Sequence, residues 1–450
     1  MQTDRNYYIE TYGCQMNMAD TEIVLSIMHN AGFSRTETLS NADVVLVNTC
    51  AVRDNAEQRI IGRLGDFNHY KKTKPNVIVG VLGCMAERVR GQLMELGDFV
   101  DLVIGPDEYR KLPALIEAAD GGEKGIAVKL SRVEKYDDIV PFRTDGLSAW
   151  VSIMRGCDKF CTYCVVPFTR GRERSRSLAS IVSEIEDLSR RGFKEVTLLG
   201  QNVNSYSDGA FDFADLLVHV ADVDKTMRVR FMTSHPQDMS HTLIDAIASR
   251  DNICNSIHLP VQSGSNRILE LMNRTYTSDQ YLTLIRRIKQ VIPDVSLSTD
   301  IISGFPTEME DDHKKSLELL QEVEFDGAYT FKYSPRENTK AWHMGDDVPE
   351  ETKNRRLSEI IYLQRTISHR LNAIMIGSTV EVLVEGLSKK SIDEFCGRTD
   401  TNKTVIFPKN GDAIGDYIDI RIVKANSATL FGKKSEHPLP QLAMLTTEEE

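Results

Sequence analysis

Four hundred and fifty residues, 41% of them hydrophobic and 27% charged, are enough chain for about three domains that bury their own cores. The formal charge of −12 excludes a uniformly basic nucleic-acid coat, and no apolar run approaches the ~18 residues that a bilayer span needs. The polar start, MQTDRNYYIE, carries no targeting signal, so a cytoplasmic protein that does not touch a membrane is expected, with a monomer as the default state. Its eight cysteines would then sit in a reducing compartment, where grouped thiols more often bind metal or do redox chemistry than pair with one another.

The first stretch alternates short apolar runs (NYYIETYG, DVVLVNT, NVIVGVLG, FVDLVIG) with amphipathic segments that begin near Asn17, Asp54, Ala86 and Asp107. Such alternation predicts βαβ units and a parallel sheet over residues 4–121. Residues 122–142, charged and ending at Pro141, read as a connector that can contribute a strand. From 143 to 375 six strand-like runs follow, AWVSIM, EVTLLG, MRVRFMT, SIHLPV, VSLSTDII and GAYTFKYS, each trailed by a helical segment. Six βα units in series predict a partial (β/α)6 barrel with its active site at the carboxyl ends of the strands. Residues 376–440 change to five short strands between turn residues, which predicts a small antiparallel barrel of the oligonucleotide-binding kind. The last residues, 441–450, read as a disordered tail. The fold class is therefore α/β with a small all-β module at the end.

Six of the cysteines fall into two sets. Cys14, Cys50 and Cys84, in YGCQMN, VNTCAVR and LGCMAER, each follow a predicted strand and precede a helix, so all three should emerge along one edge of the parallel sheet. Helix N-termini there favour thiolates. Cys157, Cys161 and Cys164 form CxxxCxxC in RGCDKFCTYCVVP, just past the first strand of the central barrel. Three thiolates on a short loop hold three irons of a [4Fe–4S] cluster and leave the fourth open to a ligand. Zinc is the alternative, but it usually takes a fourth protein ligand from a nearby CxxC or histidine pair, and the neighbouring sequence offers neither. The first set reads in the same way as a second open-iron cluster. Cys254 and Cys396, isolated in strand-like segments, read as structural thiols, and His235 and His258 receive no role.

The CxxxCxxC loop resembles the cluster motif of the radical S-adenosylmethionine (SAM) enzymes, whose core domain is the barrel expected behind it. The resemblance implies that SAM binds the open iron and is cleaved to a 5′-deoxyadenosyl radical, with Tyr163 near the adenine. Gly200 and Gln201 in LLGQN stand where many of these enzymes carry a GGE motif for the SAM amino group, and Ser263 and Asp300 lie after the fourth strand and after the fifth; all four are candidate SAM contacts, with turn geometry as the alternative. Together with YGCQMN, NTCAVRDNAEQRI, IMRGCDKFCTYCVVPFTRGRERSR and FKYSPRENTKA, the three-part chain resembles the methylthiotransferases over essentially residues 4–440, closest to the branch that acts on dimethylallyladenosine in tRNA, and its terminal module resembles their TRAM domain.

That resemblance implies sulfur insertion and methylation at carbon 2 of the isopentenylated adenosine at tRNA position 37. It implies two [4Fe–4S] clusters, the auxiliary one on Cys14, Cys50 and Cys84 carrying the sulfur, and two equivalents of SAM per turnover. The partners it implies are a tRNA anticodon stem-loop, a low-potential electron donor and a sulfur donor. Arg170, Arg172, Arg174 and Arg176, opposed only by Glu173, suit phosphates through bidentate contacts or, alternatively, internal ion pairs; the expectation is the anticodon backbone. Arg398, Lys403 and Lys424 are the phosphate candidates in the terminal module, where Phe395, Phe407 and Tyr417 could stack on bases or fill the core. Methylthiotransferases for threonylcarbamoyladenosine tRNA or for a ribosomal-protein aspartate, and a non-enzymatic iron–sulfur RNA-binding redox sensor, are the competing readings.

Overall fold

The computed structural model describes residues 5–51, 54–95, 97–144 and 146–436; the expected tail 441–450 lies outside them. The first unit is a six-stranded parallel sheet of β1 (Asn6–Thr11), β2 (Ser34–Arg35), β3 (Val44–Thr49), β4 (Ile78–Gly83), β5 (Leu102–Ile104) and β6 (Gly125–Ala127), in the order β2-β1-β3-β4-β5-β6. Every residue of β3 and β4 is buried, as helices on both faces of a parallel sheet require. The apolar runs disclosed the four inner strands. The edge strands β2 and β6, two and three residues long, are too short to leave a pattern, although β6 is the strand allowed for in the connector.

In the second unit six parallel strands follow one another around a partial barrel. They are β7 (Ser148–Ser152), β10 (Glu195–Leu199) and β11 (Arg228–Met232), then β12 (Ser256–His258), β13 (Ser296–Ser303) and β14 (Gly327–Lys332). A backbone bridge from Val229 to Ile253 links the two halves. One continuous core of aliphatic and aromatic residues, from Ala149 to Ile360, lies between these strands and their helices. A two-residue hairpin, β8 (Met154–Arg155) with β9 (Arg174–Ser175), brackets the cysteine loop.

The third unit closes into a barrel of β15 (Thr379–Ser388), β16 (Ser391–Arg398), β17 (Thr404–Pro408), β19 (Leu430–Lys434) and β18 (Tyr417–Ala425), in that order. It is antiparallel except for the β17–β19 pair. Its turn after β16 docks against the amino ends of the central strands. Arg230 of β11 gives hydrogen bonds to the carbonyls of Thr399 and Asp400, both at 2.7 Å, and Arg228 to that of Arg398 at 2.7 Å. Lys403 pairs there with Asp326 and donates to Asn372.

The first two units share a buried ionic seam. Asp20, on the helix Gln15–Asn30, is fully buried and accepts from Arg155 at 2.8 Å and Arg170 at 2.7 Å. Asp107 accepts from Arg174 at 2.7 and 3.2 Å, and Arg143 joins Glu22 of that same helix to Glu184 at 2.6 and 2.7 Å. Burial alone would raise the Asp20 carboxyl, but Arg155 and Arg170 overrule it and hold the group below its ordinary value. A carboxyl depressed in the fold stabilises it above the unfolded value, about 4, and loses that contribution as pH falls through the folded one. Replacing Asp20 by Asn strands two buried guanidiniums and should cost about 3–5 kcal/mol. Denaturant titration near neutral pH checks this, and the deficit should shrink in acid, where the parent loses the same carboxylate.

Candidate iron–sulfur and ligand site

Cys14, Cys50 and Cys84 follow β1, β3 and β4, three adjacent strands of the first sheet. The expected convergence along one sheet edge is what the fold shows. Cys14 caps the helix Gln15–Asn30 and Cys84 begins the helix Cys84–Val89. Side chains could not fit at the preceding glycines. A Cβ on Gly13 (φ +140°) would stand 2.7 Å from the Cys50 Cβ, and one on Gly83 (φ +92°) 2.6 Å from the Thr49 carbonyl oxygen.

Two buried asparagines pin these strand ends. The Asn17 amide donates to the Thr49 carbonyl at 3.0 Å and its oxygen takes the Cys14 N–H at 3.3 Å, while Asn48 donates to the Asn17 carbonyl at 2.8 Å and to Thr21 at 3.0 Å. Sequence reasoning passed over both, although each sits beside a cysteine, in CQMN and NTC. A hydrogen bond with Cys50, opposed by desolvation and aided by the Arg170 guanidinium, lowers the Cys14 thiol to about 6. Burial raises Cys84, partly offset by Arg170, whose Nε donates to its sulfur at 3.2 Å.

The second set lies on the loop between β8 and the short helix Val166–Thr169. Burial pushes the Cys157 and Cys164 thiols up to about 12, so a cation must displace their protons before they act as ligands. Arg274, fully engaged with Tyr276, the Pro260 carbonyl and Cys161 at 3.5 Å, backs this loop. Only five residues separate Cys164 from Arg170, which bounds their Cα separation to about 20 Å even if extended. The helix Gln15–Asn30 sets Met16 and Ala19 on Leu199 and Met232, the last residues of β10 and β11, and on Trp150 of β7, so its amino end, next to Cys14, lies at the same end of the barrel as the loop after β8. Among the described residues no group of three or more His, Cys, Asp or Glu side chains is drawn into a cage for a single ion. Both sets are thiol-only, the donor chemistry of iron–sulfur clusters.

The mouth of the barrel also holds unpaired polar atoms. Asn202 Oδ1, Ser234 Oγ and His235 Nε2, at the ends of β10 and β11, are buried without a partner. His235 Nδ1 accepts from the Gln237 N–H at 3.2 Å, which leaves the proton on Nε2, and burial with Arg274 nearby lowers the imidazole to about 2. These orphaned groups fit a polar ligand. Of the sequence candidates, Gln201 accepts from the Gly156 N–H at 2.5 Å and so ties β10 to the cysteine loop, and Gly200 gives way to Met154, which a Cβ would meet at 2.6 Å. Tyr163 packs against a cluster of Ile268, Met272, Phe305 and Tyr333.

Asp300 reaches the barrel interior, where His258, set aside on sequence grounds, brings Nε2 to 3.5 Å of it and Nδ1 to 3.0 Å of Ser298, with Tyr329 edge-on at 5.6 Å. The alternation in SIHLP, with Ile257 buried on the outer side, was the signal that could have placed His258 inward.

The fold places several of the expected contacts away from an open surface. Ser263 is 1% exposed and bonded to Ser316 and the Ser265 N–H, so it braces the helix Glu310–Val323 rather than the mouth. Arg170, Arg174 and Arg176 are buried and paired, with Asp20, with Asp107 and with Asp137 and Glu184. The alternative of internal ion pairs describes them. Arg172 alone is exposed, beside Asp158 and over the Phe160 ring at 5.3 Å. Lys403 is spent on Asp326, and Arg398 pairs with Glu385 and Asn402. Phe395 and Phe407 fill the terminal core, and Tyr417 lies under Arg228, whereas Lys424 is exposed beside Phe431.

Comparison with known proteins agrees with this three-part layout. Residues 6–105 match the uncharacterized protein family UPF0004, residues 151–320 the radical SAM superfamily and residues 374–434 the TRAM domain. Among solved structures, the radical S-adenosylmethionine methyltransferase TsrM from Kitasatospora setae covers 76% of this chain and 77% of its own at a TM-score of 0.59, with 14% identity, a likeness of fold alone. The tRNA-2-methylthio-N(6)-dimethylallyladenosine synthase of Chloroherpeton thalassium is 55% identical over 94% of this chain and 95% of its own length, and that of Bacteroides thetaiotaomicron 53% over 96% of both. Identity of that extent over nearly the whole chain makes this chain a member of the tRNA-2-methylthio-N(6)-dimethylallyladenosine synthase family.

Proposed function

We propose that this chain is a radical SAM tRNA methylthiotransferase that places sulfur and a methyl group on carbon 2 of N6-dimethylallyladenosine at tRNA position 37. The observation that carries the reading is the pair of thiol-only cysteine sets at one end of the barrel, in a chain whose relatives bear that activity in their names. Cys157, Cys161 and Cys164 would hold a [4Fe–4S] cluster with an iron free for SAM, and Cys14, Cys50 and Cys84 a second. When bound, these groups supply the electron that cleaves SAM and the sulfur to be transferred, with two equivalents of SAM used per turnover. Radical chemistry suits the substrate, because an aromatic C–H is not acidic enough for a general base near neutral pH.

The chain's own residues do the positioning. Gln201 fixes the cysteine loop on β10, and the unpaired Asn202, Ser234 and His235 groups are available to the polar end of SAM. Tyr163 lies one residue before Cys164, in reach of a ligand on that loop. His258, Asp300 and Tyr329 present donors and acceptors to a base entering the interior. The partners are a tRNA anticodon stem-loop, a low-potential reductant and a sulfur donor. With most of the arginine run buried, RNA contact falls to Arg172 and Phe160 beside the mouth and to Lys424 and Phe431 on the terminal barrel. No helix among the described residues is long and apolar enough to cross a membrane.

Incubation of the reconstituted protein with SAM, reductant and isopentenylated tRNA should give 2-methylthio nucleoside by mass spectrometry. Turnover of threonylcarbamoyladenosine tRNA or the ribosomal protein instead would reassign the substrate, and intact clusters without 5′-deoxyadenosine would favour the redox sensor. Cys157→Ala should abolish SAM cleavage, whereas Cys14→Ala should keep some cleavage and lose the methylthio product; equal loss of both in the two variants contradicts the division of roles. Lys424→Ala should weaken anticodon stem-loop binding and lower its salt slope by about one, while Arg398→Ala leaves the slope unchanged. Fluorescence anisotropy at several salt concentrations reads both.

A further inference from the structure

The segment after β14, FKYSPRENTKAWHM, returns to the cysteine loop. Its short helix, Lys340–His343, is capped by Thr339, whose Oγ1 accepts from the Trp342 N–H at 3.3 Å. Ala341 sinks into the cluster of Ile268, Met272, Phe305 and Tyr333 that also takes Tyr163. The Ala341 N–H donates to the Thr162 carbonyl at 2.9 Å, between Cys161 and Cys164. That bond holds the Trp342 Cα within about 11 Å of the Thr162 Cα. The apolar packing is supplied by Ala341, and the indole next to it is left 44% exposed, with His343 edge-on at 4.9 Å.

Of the five exposed phenylalanine and tryptophan rings among the described residues, three belong to this region. Phe160 lies on the cysteine loop, Phe168 on the helix that follows it and Trp342 on the segment bonded to it. Single surface rings need no explanation, but rings gathered at one opening mark a contact. Phe160 carries the exposed Arg172 guanidinium over its face at 5.3 Å, a cation beside a flat apolar surface, which suits a phosphate and a stacked base. The same loop reaches the other side of the mouth, where Lys159 pairs with Asp238 at 2.7 Å and Asp238 accepts from Asn202 at 2.7 Å. It therefore runs from the ends of β10 and β11 to the segment after β14, with Phe160 along it and Trp342 held at its far side.

A base that enters the barrel must first leave the stack of its own strand, and each neighbouring nucleotide then loses a stacking face. We propose that Trp342 stacks on a nucleotide adjacent to the target adenosine, taking the face that the adenine vacates when it turns into the barrel. The inference rests on the tRNA reading above and adds the residue that holds the strand open. A ring already fixed on its backbone by Thr339 and Thr162 loses little freedom on binding, so most of the stacking energy is available to keep the adenine turned out.

The test uses the full chain, reconstituted with its clusters and kept without reductant so that nothing turns over. Two isopentenylated anticodon stem-loops are titrated into it, each with 2-aminopurine at the nucleotide on one side of the target; the fluorescence of that base is quenched when a ring stacks on it. One of the two probes should stay quenched in the parent complex and brighten in the Trp342→Ala complex, with affinity by anisotropy lower by roughly ten- to hundredfold. Trp342→Phe, which keeps a ring, should restore the quenching and most of the affinity, a rescue that separates stacking from a general loss of fold. Probe signals alike in the parent and Trp342→Ala complexes overturn the inference alone, whatever the affinities, as does a phenylalanine variant as impaired as the alanine one. A parent protein that binds neither stem-loop overturns the functional reading with it.

Discussion

The architecture depends on one buried carboxylate. Asp20 comes from the first unit and the arginines that hold it, Arg155 and Arg170, from the second, bracketing the loop that carries Cys157, Cys161 and Cys164. Two guanidiniums on one carboxylate offset the desolvation of all three charges only in this geometry. The same contact sets where the helix Gln15–Asn30 lies on the barrel, and the first residue before that helix is Cys14. The relative placement of the two cysteine sets is thus an electrostatic outcome, fixed by a carboxylate six residues after Cys14 and by arginines two residues before Cys157 and six after Cys164.

Within the first unit a different device does comparable work. The Asn17–Asn48–Thr49 network ties the loop after β1 to the end of β3, and the Thr49 hydroxyl reaches the Leu82 carbonyl of β4 at 2.5 Å. Buried amides satisfied on all sides rigidify what they join. Three strand ends that could fray separately are held as one platform, each with a cysteine at its tip.

Much of this was legible in the sequence, and the exceptions have a common cause. Strands such as DVVLVNT and the cysteine spacing declare themselves because burial on both faces and metal ligation impose local patterns. The arginine run misled because a sequence shows charge but not its partner: Asp20 and Asp107 lie 150 and 67 residues from the arginines they neutralise. Lys403 went the same way, absorbed at a docking surface that exists only once two units fold, while Arg398 pairs with Glu385 inside its own barrel. His258 was visible in principle through period-two alternation, yet three residues of strand are too few to carry the argument without its neighbours.

The terminal barrel's turn at residues 399–402 bears on the chemistry at the opposite end. By capping Arg228 and Arg230 at the amino end of β11, it covers that side of the barrel's lower end, beside a cavity of about 520 Å³ that reaches Ser298 and Tyr329. A long nucleic acid lying across the rim at the other end would cover the site's opening there for as long as the substrate is engaged. The terminal barrel at one end and the bound substrate at the other would then shelter the site by geometry alone.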